Sequence, residues 1–327
     1  MSIVPDSPFS PFLSEQGYVV LDGGLATELE RRGADLRDSL WSAKVLLENP
    51  ALIYQVHLDY FAAGADVATT ASYQASFAGL AQRGLDQDGA AEVMRRSVAL
   101  ACAARNDFWR NPNNRQARLR PLVAASVGPY GAVLANGAEY SGDYDLDLAG
   151  LVAFHAPRLA VLAASGADLL ACETIPTLVE AEALLAALAA VCPEMPAWLS
   201  FSCGDGQRLR HGERLTDAVA LVARSRQVVA VGVNCTAPRH VESLLRAARA
   251  AQADSVRAPL LAYPNSGEVW NPETGWHIGE VHGDFGAGVA RWWAAGARLI
   301  GGCCRTTPDD VRDVRVSLAR LAQTSRT

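Results

Sequence analysis

Short apolar, β-branched runs recur along the chain, and each is followed by a longer Ala/Leu-rich segment with helical spacing. The runs 18-YVVLD, 66-DVATT, 121-PLVAAS, 167-ADLLAC, 197-AWLSFS, 228-VVAVGVN, 259-PLLAY and 297-ARLIG read as strands. Helix start signals stand between them. Asn49-Pro50 offers a cap and then a proline at the first helical position, Thr177 and Glu180 have capping-box spacing, and Thr307-Pro308 opens the last helix. Gly64, Gly166 and Gly296 fall where helices close before the next strand.

Strands that alternate with helices eight times predict an α/β fold, a (β/α)8 TIM barrel. An open doubly wound sheet is the alternative, but 22-DGGLATELE after the first strand lacks the G-x-G-x-x-G spacing. Longer irregular stretches occur at 110–120, 129–146, 203–215 and 264–284. The last three follow the third, fifth and seventh strands, so the loops are elaborated at the C-terminal face of the strands, where barrels build their sites. With no low-complexity linker, residues 1–327 read as a single domain, with 1–16 an N-terminal extension ahead of the first strand.

Composition narrows the partners. A chain of 327 residues that is 50% hydrophobic can bury a large core. Its net charge of −6 argues against nucleic acid, and the scattered Lys and Arg form no polybasic run for a membrane surface. No apolar run reaches membrane-span length, and the first residues lack the pattern of a secretory signal. These features predict a cytoplasmic protein, in which the seven cysteines are packing residues, metal ligands or reactive thiols.

Polar and thiol residues collect at the predicted strand ends: Asp22-Gly23-Gly24, Thr70, Ser72, Tyr73, Ser126, Glu173, Asn234, Cys235, Asn265 and the Gly301-Gly302-Cys303-Cys304 turn. Barrel closure brings the sixth and eighth strand ends near one another, so Cys235 can meet Cys303 and Cys304. Three thiolates with one open position would suit catalytic zinc. A vicinal disulfide and buried inert thiols are the other readings, the latter fitting Cys102, Cys172 and Cys192. Spacing alone leaves them open.

The motifs 21-LDGGLATELERRG, 70-TASYQAS, 126-SVGPYG, 172-CETIP, 231-VGVNC and 301-GGCCRTTP resemble those of the homocysteine S-methyltransferase family, over about Val19 to Val314. The segments 39-SLWSAKVLLENP, 139-EYSGDY and 264-PNSGE look most like bacterial members that use S-methylmethionine. The resemblance implies a zinc-dependent barrel with Cys235, Cys303 and Cys304 as Zn2+ ligands. It further implies methyl transfer from a sulfonium donor, S-methylmethionine or S-adenosylmethionine, to zinc-bound homocysteine thiolate. Asp22 and Glu173 would hold the homocysteine ammonium. The Gly23 backbone and the Ser72 hydroxyl would hold its carboxylate, and Asn234 would orient a ligand or fill the open metal position, a turn residue being its other reading. Tyr73, Tyr130, Tyr140, Trp270 and Trp276 are candidate aromatic faces for the sulfonium.

Other readings follow from the same residues. A selenocysteine or other thiol methyltransferase of this family is the near alternative, and a thiol-redox or non-catalytic zinc barrel is the distant one. His277 and His282 lack the spacing of a helical metal pair, Arg305 reads as structural, and the pattern shows no oligomerisation arm, which predicts a monomer. Gly301 and Gly302 are expected to let the chain bend so that both adjacent sulfurs reach one ion.

Overall fold

The computed structural model describes residues 7–35, 41–134, 136–252, 258–267, 269–271, 275–277 and 285–325. Its strands are β1 (Val19–Val20), β2 (Val67–Thr69), β3 (Leu122–Val127), β4 (Leu169–Ile175), β5 (Ala197–Phe201), β6 (Val228–Asn234), β7 (Leu260–Tyr263), β8 (Val269–Asn271), β9 (Gly275–His277) and β10 (Ala297–Ile300). Eight of them form one sheet in the order β1-β10-β7-β6-β5-β4-β3-β2. Every neighbouring pair is parallel, and a parallel bridge between Leu21 and Val67 joins the two ends. The sheet is thereby closed into a (β/α)8 barrel, with all eight expected strands in place.

Burial explains why these runs are so apolar. A parallel barrel strand is covered on both faces, by the barrel interior and by the helix ring. All seven residues of β4 and all seven of β6 are buried. Alternate residues divide between two cores: Val19, Leu21, Val67, Ala124, Leu169, Ala171, Trp198, Ala230, Leu261 and Leu299 pack inside the barrel, while Val20, Ala68, Val123, Leu170, Cys172 and Ile300 pack outward against helices. The helix signals act as expected. Asn49 accepts from the Leu52 amide at 3.3 Å, and Gly64, Gly166 and Gly296 close helices with φ of 125°, 86° and 110°. Thr177 caps its helix at the Glu180 amide, but the Glu180 carboxylate turns away to other partners and leaves the box half made.

Two features were not legible. Residues 264–284 read as irregular, yet β8 and β9 pair there as an antiparallel hairpin; three-residue strands are too short for period-two alternation to register. The segment before the first strand is also more than an extension. Its helix Ser10–Glu15 lies at the N-terminal mouth, where Phe9 and Phe12 join the interior core and Phe9 stacks on Trp198 with ring centroids 6.3 Å apart. Truncating a fully buried Phe costs roughly 3–5 kcal/mol. Phe9→Ala is therefore expected to lower the urea midpoint strongly, and an unchanged midpoint would remove Phe9 from the core.

Candidate metal and substrate site

The C-terminal mouth of the barrel opens into a cavity of about 840 Å³, counting the space that reaches solvent. Asp22, Gly23, Thr69, Thr70, Tyr73, Ser126, Glu139, Tyr140, Glu173, Thr174, Cys235, Tyr263, Cys303 and Cys304 are among its walls. The three cysteines are brought together as their strand positions require. Sγ of Cys304 lies 3.8 Å from that of Cys235 and 3.9 Å from that of Cys303, and all three sulfurs fall within 4.8 Å of one another.

That spacing tests the metal reading. With zinc–sulfur bonds of about 2.3 Å, tetrahedral geometry separates two sulfur ligands by about 3.8 Å. The edges through Cys304 match. Electrostatics agrees, because one buried and two half-buried thiols this close cannot all ionise without a cation. The pKa of Cys235 is pushed down because Cys303 and Cys304 hydrogen bond to it, while theirs are pushed up, in each case first by the bond to Cys235. A soft dication stabilises all three as thiolates, and zinc is the cofactor this donor set takes. The remaining cysteines are free thiols away from the cluster. Burial raises the pKa of Cys102, Cys172 and Cys192 and moves that of Cys203 up to about 12, which makes them poor nucleophiles.

Backbone strain gathers around the sulfurs. Among the described residues only four other than glycine have positive φ, and three are here: Thr174 at 64°, Cys235 at 46° and Arg305 at 65°. Asn234 braces the first of them. Its Oδ1 accepts from the Thr174 amide and its Nδ2 donates to the Thr174 hydroxyl, both at 2.8 Å, with a further contact at 4.0 Å to Cys303 Sγ. Gly301 and Gly302 do not supply a left-handed bend, since neither has positive φ. They are needed for close approach: a Cβ on Gly301 would sit 2.6 Å from the Asp22 carbonyl, and one on Gly302 would sit 2.2 Å from Thr306 Oγ1. The left-handed residue that turns the chain is Arg305. Its guanidinium pairs with Glu30 at 3.0 Å, the structural role expected.

Two buried carboxylates face the sulfurs. Asp22 caps no helix, for Gly24 holds that position. Instead Asp22 accepts from the Thr69 amide at 2.7 Å and from the Thr69 hydroxyl at 3.0 Å. Burial, reinforced by the nearby Glu173 charge, moves its pKa from 3.8 up to about 8 against the Thr69 bonds. Burial likewise moves Glu173 up to about 7, although the Ser126 and Tyr263 hydroxyls bond to it. Tyr263 in turn accepts from Trp198 Nε1 at 3.0 Å. A column Phe9–Trp198–Tyr263–Glu173 thus runs through the barrel from floor to site. Ser72 does not line the cavity; its hydroxyl donates to the Ser126 carbonyl at 2.7 Å and lies 2.7 Å from Thr70 Oγ1.

Of the five aromatic candidates, Tyr73 and Tyr140 line the cavity. Tyr130 packs edge-on against Tyr144 and Phe154 instead. His282 lies outside the described residues, as do the side chains of Trp270, Trp276 and His277. Sequence reasoning missed Thr69, Tyr263 and Glu139 as site residues. Tyr263 ends a predicted strand and Thr69 is the penultimate residue of one, which is a usable signal, whereas Glu139 sits inside an irregular loop. Burial moves Glu139 up to about 7.

A closed barrel with three converging sulfurs and buried carboxylates at its C-terminal mouth defines a thiolate-metal enzyme. The model of the family "Homocysteine S-methyltransferase" matches residues 19–318, and the chain belongs to that family. Homocysteine S-methyltransferase of Escherichia coli (strain K12) is 49% identical over 308 residues, covering 94% of this chain and 97% of that protein. Homocysteine S-methyltransferase YbgG of Bacillus subtilis (strain 168) is 47% identical over 309 residues, covering 94% and 96%. The solved homocysteine methyltransferase MmuM from Escherichia coli in its metallated form superposes with a TM-score of 0.84 at 47% identity, covering 95% of this chain and 99% of that one. Among the described residues no helix is long and apolar enough to cross a membrane.

Proposed function

We propose that the protein transfers a methyl group from a sulfonium donor, S-methylmethionine in the first place, to the thiol of homocysteine, and that Cys235, Cys303 and Cys304 hold the zinc. The observation that carries this reading is the set of three sulfurs within 4.8 Å of one another, the two edges through Cys304 at tetrahedral spacing, at a cavity walled by Asp22 and Glu173. Zinc supplies a Lewis acid that lets the homocysteine thiol give up its proton near neutral pH. The open side of the three-sulfur cluster faces the place where that thiol would sit.

The chain's own residues position and desolvate the reactants. Asp22 and Glu173 take the homocysteine ammonium, whose charge relieves the burial that holds both pKa values high. The Gly23 backbone faces the substrate carboxylate, and Tyr73 walls the cavity beside it. Ser72 and Asn234 act at one remove. Ser72 fixes Ser126, which bonds to Glu173, and Asn234 fixes Thr174 next to Glu173. The homocysteine sulfur attacks the methyl carbon in line with the donor's carbon–sulfur bond. A new carbon–sulfur bond forms, the donor sulfur leaves with the electron pair, and two thioethers result; from S-methylmethionine both are methionine. No protein base is needed. Reduced thiolates at the site suit a reducing compartment, and we place the protein in the cytoplasm.

The test supplies zinc-loaded protein with homocysteine and S-methylmethionine, and with S-adenosylmethionine in a parallel reaction. Two methionines per transfer from the first donor are expected, with loss on chelation. No methionine from either donor would overturn the reading.

A further inference from the structure

Homocysteine brings one positive charge to the cavity, whereas an amino-acid sulfonium donor brings two, and the loop between β3 and β4 carries a carboxylate with one oxygen bonded to its own backbone amide and the other left without a donor among the described residues. Glu139 lines the cavity beside Tyr73, Tyr140 and Cys235. Its Oε2 is buried and has no hydrogen-bond partner among the described residues. A buried carboxylate oxygen left without a donor costs free energy until one arrives. Among the described residues no Lys or Arg lines the cavity, so no cationic side chain supplies the missing donor.

The loop is built to keep Glu139 in place. It folds back so tightly on Gly131 that a Cβ there would sit 2.4 Å from the Glu139 amide nitrogen. Beneath it the fully buried Glu180 accepts from the Tyr130 amide at 2.6 Å and the Tyr144 hydroxyl at 2.9 Å, and pairs with His155 Nε2 at 2.9 Å. Adjacent Tyr140 is already engaged. The Arg210 guanidinium lies 5.7 Å from its ring centroid, and its hydroxyl hydrogen bonds to Cys235. Glu139 is therefore the group on this loop best suited to a cation.

We propose that Glu139 recognises the α-ammonium of the amino-acid methyl donor, with Glu180 as the positioning residue that holds its loop. This rests on the methyl-transfer reading above. The ammonium is the productive target because its charge is the same before and during transfer. A carboxylate placed on the sulfonium would instead stabilise a charge that the reaction removes, and would slow it.

Glu139→Gln tests this, since the amide keeps the size and breaks no bond made by Oε2. Loss of uniform binding raises KM and leaves kcat nearly unchanged. With S-methylmethionine as varied substrate, donor KM is expected to rise about tenfold or more, the usual scale for a hydrogen bond to a charged group. Zinc content and homocysteine KM stay at wild-type values. An unchanged donor KM, a fall confined to kcat, or a raised homocysteine KM would each overturn the assignment. Calorimetric titration of S-methylmethionine into the zinc-loaded wild type and variant separates the two readings. If the wild type transfers no methyl group, the function above fails. The Glu139 assignment then stands only if the wild type still binds S-methylmethionine about tenfold more tightly than the variant.

Discussion

Cys303→Ser is expected to strip the protein of zinc and of methyl transfer together. The Cys303 sulfur is half-buried, its distance to Cys304 Sγ is 3.9 Å, and its amide is fixed by the Pro264 carbonyl at 2.8 Å. Serine keeps the backbone and nearly the size, but its hydroxyl does not ionise near neutral pH. The cluster then offers two thiolates where three are needed to hold the ion and leave one position for substrate. Loss of a residue that only supports a metal ligand costs about 10–100-fold in affinity; loss of a ligand itself should exceed that range. Zinc per chain, read by elemental analysis after dialysis, falls from near one towards zero, and methionine formation falls to background. Cys102→Ser, on a helix away from the cluster, keeps both. In the zinc-free state Cys303→Ser and wild type should melt alike, which separates ligand loss from misfolding. Full zinc and activity in Cys303→Ser would sink the metal assignment.

Barrel strands were easy to read because a strand covered on both faces is apolar at every position, and glycine-closed helices separate one run from the next. The sulfurs were also readable, but only in part. Spacing in the sequence put Cys235, Cys303 and Cys304 at the ends of neighbouring parts of a closed sheet, yet could not separate a metal from a disulfide. The 3.8 Å and 3.9 Å separations supply what was missing. Partners of the carboxylates were harder still. Ser72 and Asn234 look like substrate groups because they are polar and end strands, whereas their hydrogen bonds go to Ser126 and Thr174. Which way a polar side chain turns at a strand end depends on register with the neighbouring strand, and no single-strand pattern carries that. Glu139 was hidden for a different reason. Its loop has no periodicity, and its position depends on a tight pass over Gly131 and on anchoring by Glu180, whose spacing suggested a capping box instead.

Asp22→Asn is expected to make the protein more stable at alkaline pH and much poorer at using homocysteine. Folding raises the Asp22 pKa from 3.8 to about 8, first through burial, with Glu173 adding to it and the Thr69 bonds opposing it. The folded state therefore holds a proton that the unfolded chain releases. Any stability this contributes is fully present below about pH 4 and is lost as pH rises towards about 8. Asparagine carries no such dependence and still presents an oxygen to the Thr69 amide. With zinc removed from both proteins, the variant's melting temperature relative to wild type should climb between pH 5 and pH 8. In the zinc-loaded enzyme the same change is expected to remove the charge-assisted contact proposed for the substrate ammonium. Such a contact is worth about 1.5–3 kcal/mol, so kcat/KM for homocysteine should fall roughly 10- to 100-fold while donor KM holds. Wild-type stability is thus lowest where the carboxylate is ionised, which is the form that a bound ammonium stabilises. A flat difference in melting temperature from pH 5 to pH 8 would show that burial does not perturb Asp22. An unchanged homocysteine KM would remove it from the acceptor site.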